Sequence, residues 1–134
     1  METKQIAEGN QMIADKSIMD FMGWKVELFD ETDPDSFWVL NQYDDAGNRI
    51  NQITGYECAN IRKDEIMSFK SWDELMPVVE KIEAMGNEIG IRGCRCAIQN
   101  LINPHFILEN VSLTKLEATY QAVLSFITFY NQKK

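Results

Sequence analysis

The chain has 134 residues, 45% hydrophobic and 25% charged, the balance of a folded soluble domain rather than a disordered chain. Thirteen basic residues against twenty-one acidic ones leave a net charge of −8. Phosphate backbones repel such a chain and no basic patch with interleaved aromatics offsets this, so no direct nucleic-acid binding is expected.

The opening "METKQIAEGNQ" lacks the apolar core of a signal peptide, and no run of about 18 apolar residues suits a bilayer. Three cysteines are too few, and odd in number, for a disulfide framework. These features predict one cytoplasmic domain over 1–134 with no membrane association.

In chain order, "NQMIADKSIMDFMG" is helical in composition, with Gly23 as its stop. Its apolar residues Ile13, Ile18, Met19 and Met22 spread around the wheel, so it either bends or is covered on two sides. "WKVELFD" alternates Trp24, Val26 and Leu28 against Lys25, Glu27 and Asp30, a half-buried strand with Phe29 out of phase. After the acidic loop "DETDPDS", the runs "FWVLNQY" and "RINQITGYE" flank "DDAGN", a hairpin whose Gly47 and Asn48 tolerate positive φ. "IMSF" reads as a short edge strand.

"SWDELMPVVEKIEAMG" is the clearest helix. Ser71 and Glu74 form a capping box and Gly86 supplies the stop. Leu75, Val79 and Ile82 share one face, with Trp72, Val78 and Met85 at its margins, and Pro77 predicts a kink. "EIGIRGCRCAIQ" and "HFILENV" read as strands separated at Asn103-Pro104. Within the first, Ile89 and Ile91 lie on one phase and Cys94 and Cys96 on the other. Either a bulge near Gly93 rejoins them or the strand starts afresh at Gly93.

A last helix starts at Ser112 or Thr114 and runs to about Asn131. Leu113, Leu116, Tyr120, Val123, Leu124 and Ile127 form one broad apolar face. Ala118, Ala122, Phe126 and Phe129 form a second stripe roughly opposite. A surface helix needs one such face. The second must meet another element of the chain or another subunit, which makes these four residues a candidate interaction surface. The order αβββαββα with short connections predicts an α+β layered sandwich of three helices on a mainly antiparallel sheet of about five strands.

"SWDELMPVVEKIEAMG" resembles a segment, roughly SWDWLMPVVEKIE, of small uncharacterised phage and prophage proteins of Bacteroidetes-type bacteria. "LEATYQAVLSFITFYNQ" is similar to their closing helix, and "NQMIADKSIMDFMGWK" to their openings and to those of the phage α/β/α-sandwich family. The matches cover about a third of the chain. Glu74 replaces the family's Trp, and extra residues lie at about 16–19. The resemblance implies a layered α/β fold and a mobile-element origin, and it brings no catalytic residues.

Among chemistry-bearing groups, zinc could use only Cys58, Cys94, Cys96 and His105, the whole cysteine and histidine inventory. C-x-C is not the usual zinc spacing, and Cys94, Cys96 and Ile98 read as an apolar stripe packed beneath a helix. Asp30, Glu31, Asp33 and Asp35, with Asp44 and Asp45, lack the spacing of a calcium loop and read as solvated. His105 has no nucleophile context, and no phosphate-binding glycine motif or zinc-protease motif occurs. Trp24, Trp38 and Trp72 read as core.

No catalytic, cofactor or metal site follows, so a non-enzymatic role through a protein partner is expected, with a homodimer among the options. Two alternatives stand beside it. One is an acidic mimic of nucleic acid that inhibits a host protein. The other is a small-ligand binder or enzyme with a pocket near His105.

Overall fold

Nine elements follow one another among the described residues: α1 (Glu2–Phe21), β1 (Trp24–Leu28), β2 (Trp38–Tyr43), β3 (Arg49–Ile53), α2 (Trp72–Ala84), β4 (Asn87–Arg92), β5 (Arg95–Asn100), β6 (Ile107–Val111) and α3 (Lys115–Gln132). The structure, a computed structural model, describes residues 2–54, 61–103, 105 and 107–132, with the backbone alone for residues 2–11. The fold is α+β with three helices and antiparallel strands. The strand count differs from the sequence expectation: six strands form two three-stranded sheets, β1-β2-β3 and β4-β5-β6, instead of one sheet of about five.

The extra strand comes from "EIGIRGCRCAIQ". At Gly93, φ is +54°, and β4 turns back so that Arg92 pairs with Arg95 and Ile89 with Ile98. A two-residue hairpin turn needs positive φ at its first central position to match the twist of the strands, and glycine takes it without steric cost. Residues 66–69, expected as an edge strand, are irregular. Phe69 is buried there, which accounts for the apolar run.

Contacts divide the chain into two compact units, one ending at Met67 and the other beginning at Ser68. In the first, α1 lies beside β1, and Ile18, Met19, Phe21 and Met22 are buried, as are Val39 and Leu40 of β2. Of the apolar residues spread around the α1 wheel, Ile18, Met19 and Met22 are buried, whereas Ile13 is 69% exposed. At the junction of α1 and β1, the Gly23 carbonyl accepts from the Tyr43 amide at 2.9 Å, extending the β1-β2 ladder by one bond.

In the second unit, the Ser71 hydroxyl accepts from the Glu74 amide, and the Glu74 carboxylate accepts from the Ser71 amide. These bonds satisfy two otherwise orphaned donors of α2. Helix α2 runs on through the exposed Pro77, burying Leu75, Val78, Val79 and Ile82. Thr114 caps α3 through its hydroxyl to the Glu117 amide at 3.0 Å. Helix α3 packs on β5, β6 and β4 and touches α2, which itself lies on β4. One face of the β4-β5-β6 sheet is therefore covered by helix, through Cys96 and Ile98 of the central strand.

Gly23 takes φ +81°, and a Cβ there would overlap the Tyr43 carbonyl oxygen. Gly23→Ala should therefore destabilise the first unit by more than about 2 kcal/mol. Gly47→Ala, with the same sign of φ but open space around it, should cost only about 1 kcal/mol. Urea denaturation of the two variants measures the difference.

Candidate functional site

Cross-strand partners share a sheet face, so the registers of β4, β5 and β6 place nine residues on the face away from α3. They form three rows: Glu88–Gln99–Ile107, Gly90–Ala97–Glu109 and Arg92–Arg95–Val111. Seven of the nine are exposed, and Ala97 and Gln99 of the central strand are half-buried. Neither α2 nor α3, the described helices of this unit, lies on this face. Its large apolar members lie on β6, an edge strand, where Ile107 is 52% and Val111 68% exposed. Leu113, 95% exposed, follows at the same end, its carbonyl accepting from Cys94 Sγ at 3.4 Å.

The same face carries a shallow depression of about 290 Å³ lined by Gly90, Arg92, Arg95 and Ala97. Arg95 Nη2 donates to Glu109 Oε2 at 2.5 Å. The Arg92 side chain has no partner among the described residues. Chemically, this surface can bind an anion and apolar groups together.

A second concavity, about 260 Å³, lies where α3 meets the sheet ends. Met85, Asn87, Asn100, Asn103, Phe126, Phe129 and Tyr130 line it. Its amides are largely committed: Asn87 Nδ2 donates to the Ile82 carbonyl at 2.9 Å. Asn100 Nδ2 donates to Asn87 Oδ1, and Asn100 Oδ1 accepts from the Ile102 and Asn103 amides. Neither His105 nor an acidic residue is among its described lining, so it offers no acid–base pair. Small-molecule sites usually start at about 300 Å³, slightly above this cleft.

A polar cluster that the sequence reading did not single out lies on the first sheet. Glu27 Oε1 accepts from Asn41 Nδ2 at 2.9 Å and from the Tyr43 hydroxyl. Gln52 Nε2 donates to Asn41 Oδ1 at 2.9 Å, and the Lys25 ammonium lies 5.5 Å from the Tyr43 ring centre. The Tyr43 hydrogen bond holds the Glu27 carboxyl below its usual range, against the opposing effect of desolvation. The same bond, with burial, raises the Tyr43 phenol. The signal lay in the polar phase of β1 and the amides of "LNQY", but pairing across three strands is needed to join them.

The residues predicted from sequence fall as follows. Cys94 sits in the hairpin turn, exposed, while Cys96 is buried beneath α3 with a hydrogen bond to Thr119. The expected stripe through Cys94, Cys96 and Ile98 is thus corrected to Cys96 and Ile98, because the strand begins at Arg95. Cys58 lies outside the described residues, and His105 is exposed. No group of three or more His, Cys, Asp or Glu among the described residues is placed to hold a metal ion.

Asp30, Glu31, Asp33, Asp35, Asp44 and Asp45 are exposed, and several aspartates fold their own loops. Asp30 accepts from the Thr32 hydroxyl and amide, Asp33 from the Asp35 amide, and Asp44 from the Ala46 and Asn48 amides. Ala118, Ala122 and Phe126 are buried within the chain, and Phe129 is half-buried at the cleft. Trp24, Trp38 and Trp72 are half-buried.

Comparison of the chain with protein-family models, curated proteins and solved structures gives no match. No helix among the described residues is long and apolar enough to cross a membrane.

Burial pushes the Cys96 thiol up, partly offset by the Thr119 hydrogen bond, and the thiolate is the reactive form. In native protein, iodoacetamide should therefore label Cys94 while labelling Cys96 at least ~tenfold more slowly; peptide mass mapping before and after unfolding reads the contrast. A depressed Glu27 contributes stability above the ordinary glutamate range and loses it as pH falls through the folded value. Tyr43→Phe should accordingly lower stability at pH 7 by about 0.5 kcal/mol, a small effect because the pair is half exposed. It should also flatten the acid limb of a stability–pH curve.

Proposed function

We propose that this is a phage- or prophage-derived accessory protein that works in the cytoplasm through protein contacts rather than catalysis. The observation that carries this reading is the face of the β4-β5-β6 sheet away from α3, where an edge strand presents Ile107 and Val111 to solvent. Exposed β-branched residues on an edge strand invite association, and folded proteins usually blunt such edges with lysine, proline or a covering element. Neither lysine nor proline occurs between Ile107 and Val111, where Glu109 is the one charge. A surface of this composition is suited to being covered by another protein.

The resemblance of residues 71–86 and of the closing helix to phage and prophage proteins supports the origin. Arrangement of each unit as helix on sheet agrees with the layered fold those proteins imply. The described lining of the cleft includes neither His105 nor a carboxylate, the pair that an enzyme near His105 would need. The aspartates that would imitate a phosphate row are instead bonded into their own loops, so protein docking is preferred over the ligand-binding and mimic readings.

Replacing Ile107 and Val111 together by lysine tests the reading. Both side chains are exposed, so stability should change by no more than about 0.5 kcal/mol for each. Capture from host extract with wild-type protein should retain a stoichiometric partner that the double variant loses. If the partner is a second copy, sedimentation should instead show a dimer becoming a monomer. A variant that keeps the same partner or the same mass would overturn the proposal.

A further inference from the structure

The arginine end of the open face specifies the chemistry of what docks there. We propose that a protein partner presents a carboxylate-bearing segment to this end, its carboxylate seated between Arg92 and Arg95 over Gly90 and Ala97. Its neighbouring apolar groups lie on Val111 and Leu113. The inference rests on the protein-contact reading and names the partner's character.

Four observations support it. Arg92 and Arg95 are direct cross-strand partners, and like charges facing each other across a ladder are unfavourable unless an anion joins them. Glu109 engages Arg95, but Arg92 has no partner among the described residues. The remaining carboxylate of the face, Glu88, lies four residues along β4, about 13 Å away at ~3.3 Å per residue. One guanidinium charge is thus left uncompensated at the surface of a chain whose net charge is −8.

The floor is built small. Gly90 does not take a positive φ, and a Cβ added there would meet nothing within 4 Å. Its backbone therefore does not call for glycine, and the missing side chain opens the depression beside Ala97. Guanidinium groups match the planar fork of a carboxylate.

The charge of the whole chain separates a partner's carboxylate from a free phosphate. A field of −8 repels a free small anion at long range, so an anion is held here only when other contacts bring it in. Val111 and Leu113, 68% and 95% exposed, supply those contacts.

The test is a titration of isotopically labelled full-length protein, followed by NMR. The probe is a short peptide of alternating valine and glutamate, with its valine–glutamine counterpart and inorganic phosphate as controls. The glutamate peptide should produce saturable shifts at Gly90, Arg92, Arg95 and Ala97. Arg92→Glu should weaken it at least ~tenfold through lost and reversed charge. Gly90→Val should weaken it similarly by filling the floor while keeping every charge, and unchanged melting of both variants excludes misfolding.

Absence of shifts, equal binding of the glutamine peptide, or unchanged binding to Arg92→Glu would overturn the inference. Phosphate that reproduces the shifts and displaces the peptide would overturn it in favour of a free-anion site. If Arg92→Glu keeps the captured partner that the Ile107/Val111 variant loses, the carboxylate inference fails and the protein-contact reading stands.

Discussion

The turn at Gly93 and Cys94 is the constraint on which the second unit depends. A single strand of the length of "EIGIRGCRCAIQ" would expose one cysteine pair and one isoleucine pair on opposite faces. Reversal at a positive φ superimposes Ile89 on Ile98 and Ile91 on Cys96, so both apolar phases reach the same side of the sheet. Helix α3 then covers that side. The same reversal sends Cys94 to solvent and leaves Arg92 opposite Arg95.

The consequence for function is an asymmetry between the two faces of one small sheet. The inner face carries Cys96 and Ile98, fully buried; of its polar members, Asn87 and Asn100 are hydrogen-bonded to each other, and Asn110 accepts from the Ser112 hydroxyl. The outer face mixes bare glycine and alanine, two arginines and two exposed β-branched residues. Burial drives the first composition. The second composition is the one on which the proposed protein contact rests.

In the first unit the organising feature is the close approach of Gly23 to Tyr43, where any side chain on residue 23 would strike a carbonyl. It fixes the exit of α1 against the end of β2. The adjoining cluster of Glu27, Asn41, Tyr43 and Gln52 ties three strands together through side chains. Its bonds are strongest with Glu27 ionised and Tyr43 protonated, the states favoured across the neutral range.

The sequence by itself determined the helix terminus at Ser71, the start of the last helix to within Ser112 or Thr114, the hairpin at Gly47, the α+β class and the burial of Leu75, Val79 and Ile82. All of these follow from local hydrogen-bonding chemistry or from a period within one element. It did not determine whether Gly93 marks a bulge or a turn, because glycine permits both and the choice depends on which face α3 covers. The grouping of Arg92 with Arg95 and Val111, of Glu27 with Tyr43 and Gln52, and the separation of Cys94 from Cys96 were decided only by tertiary structure. Each is a matter of strand register, and register is set by side-chain burial across strands that are distant in sequence.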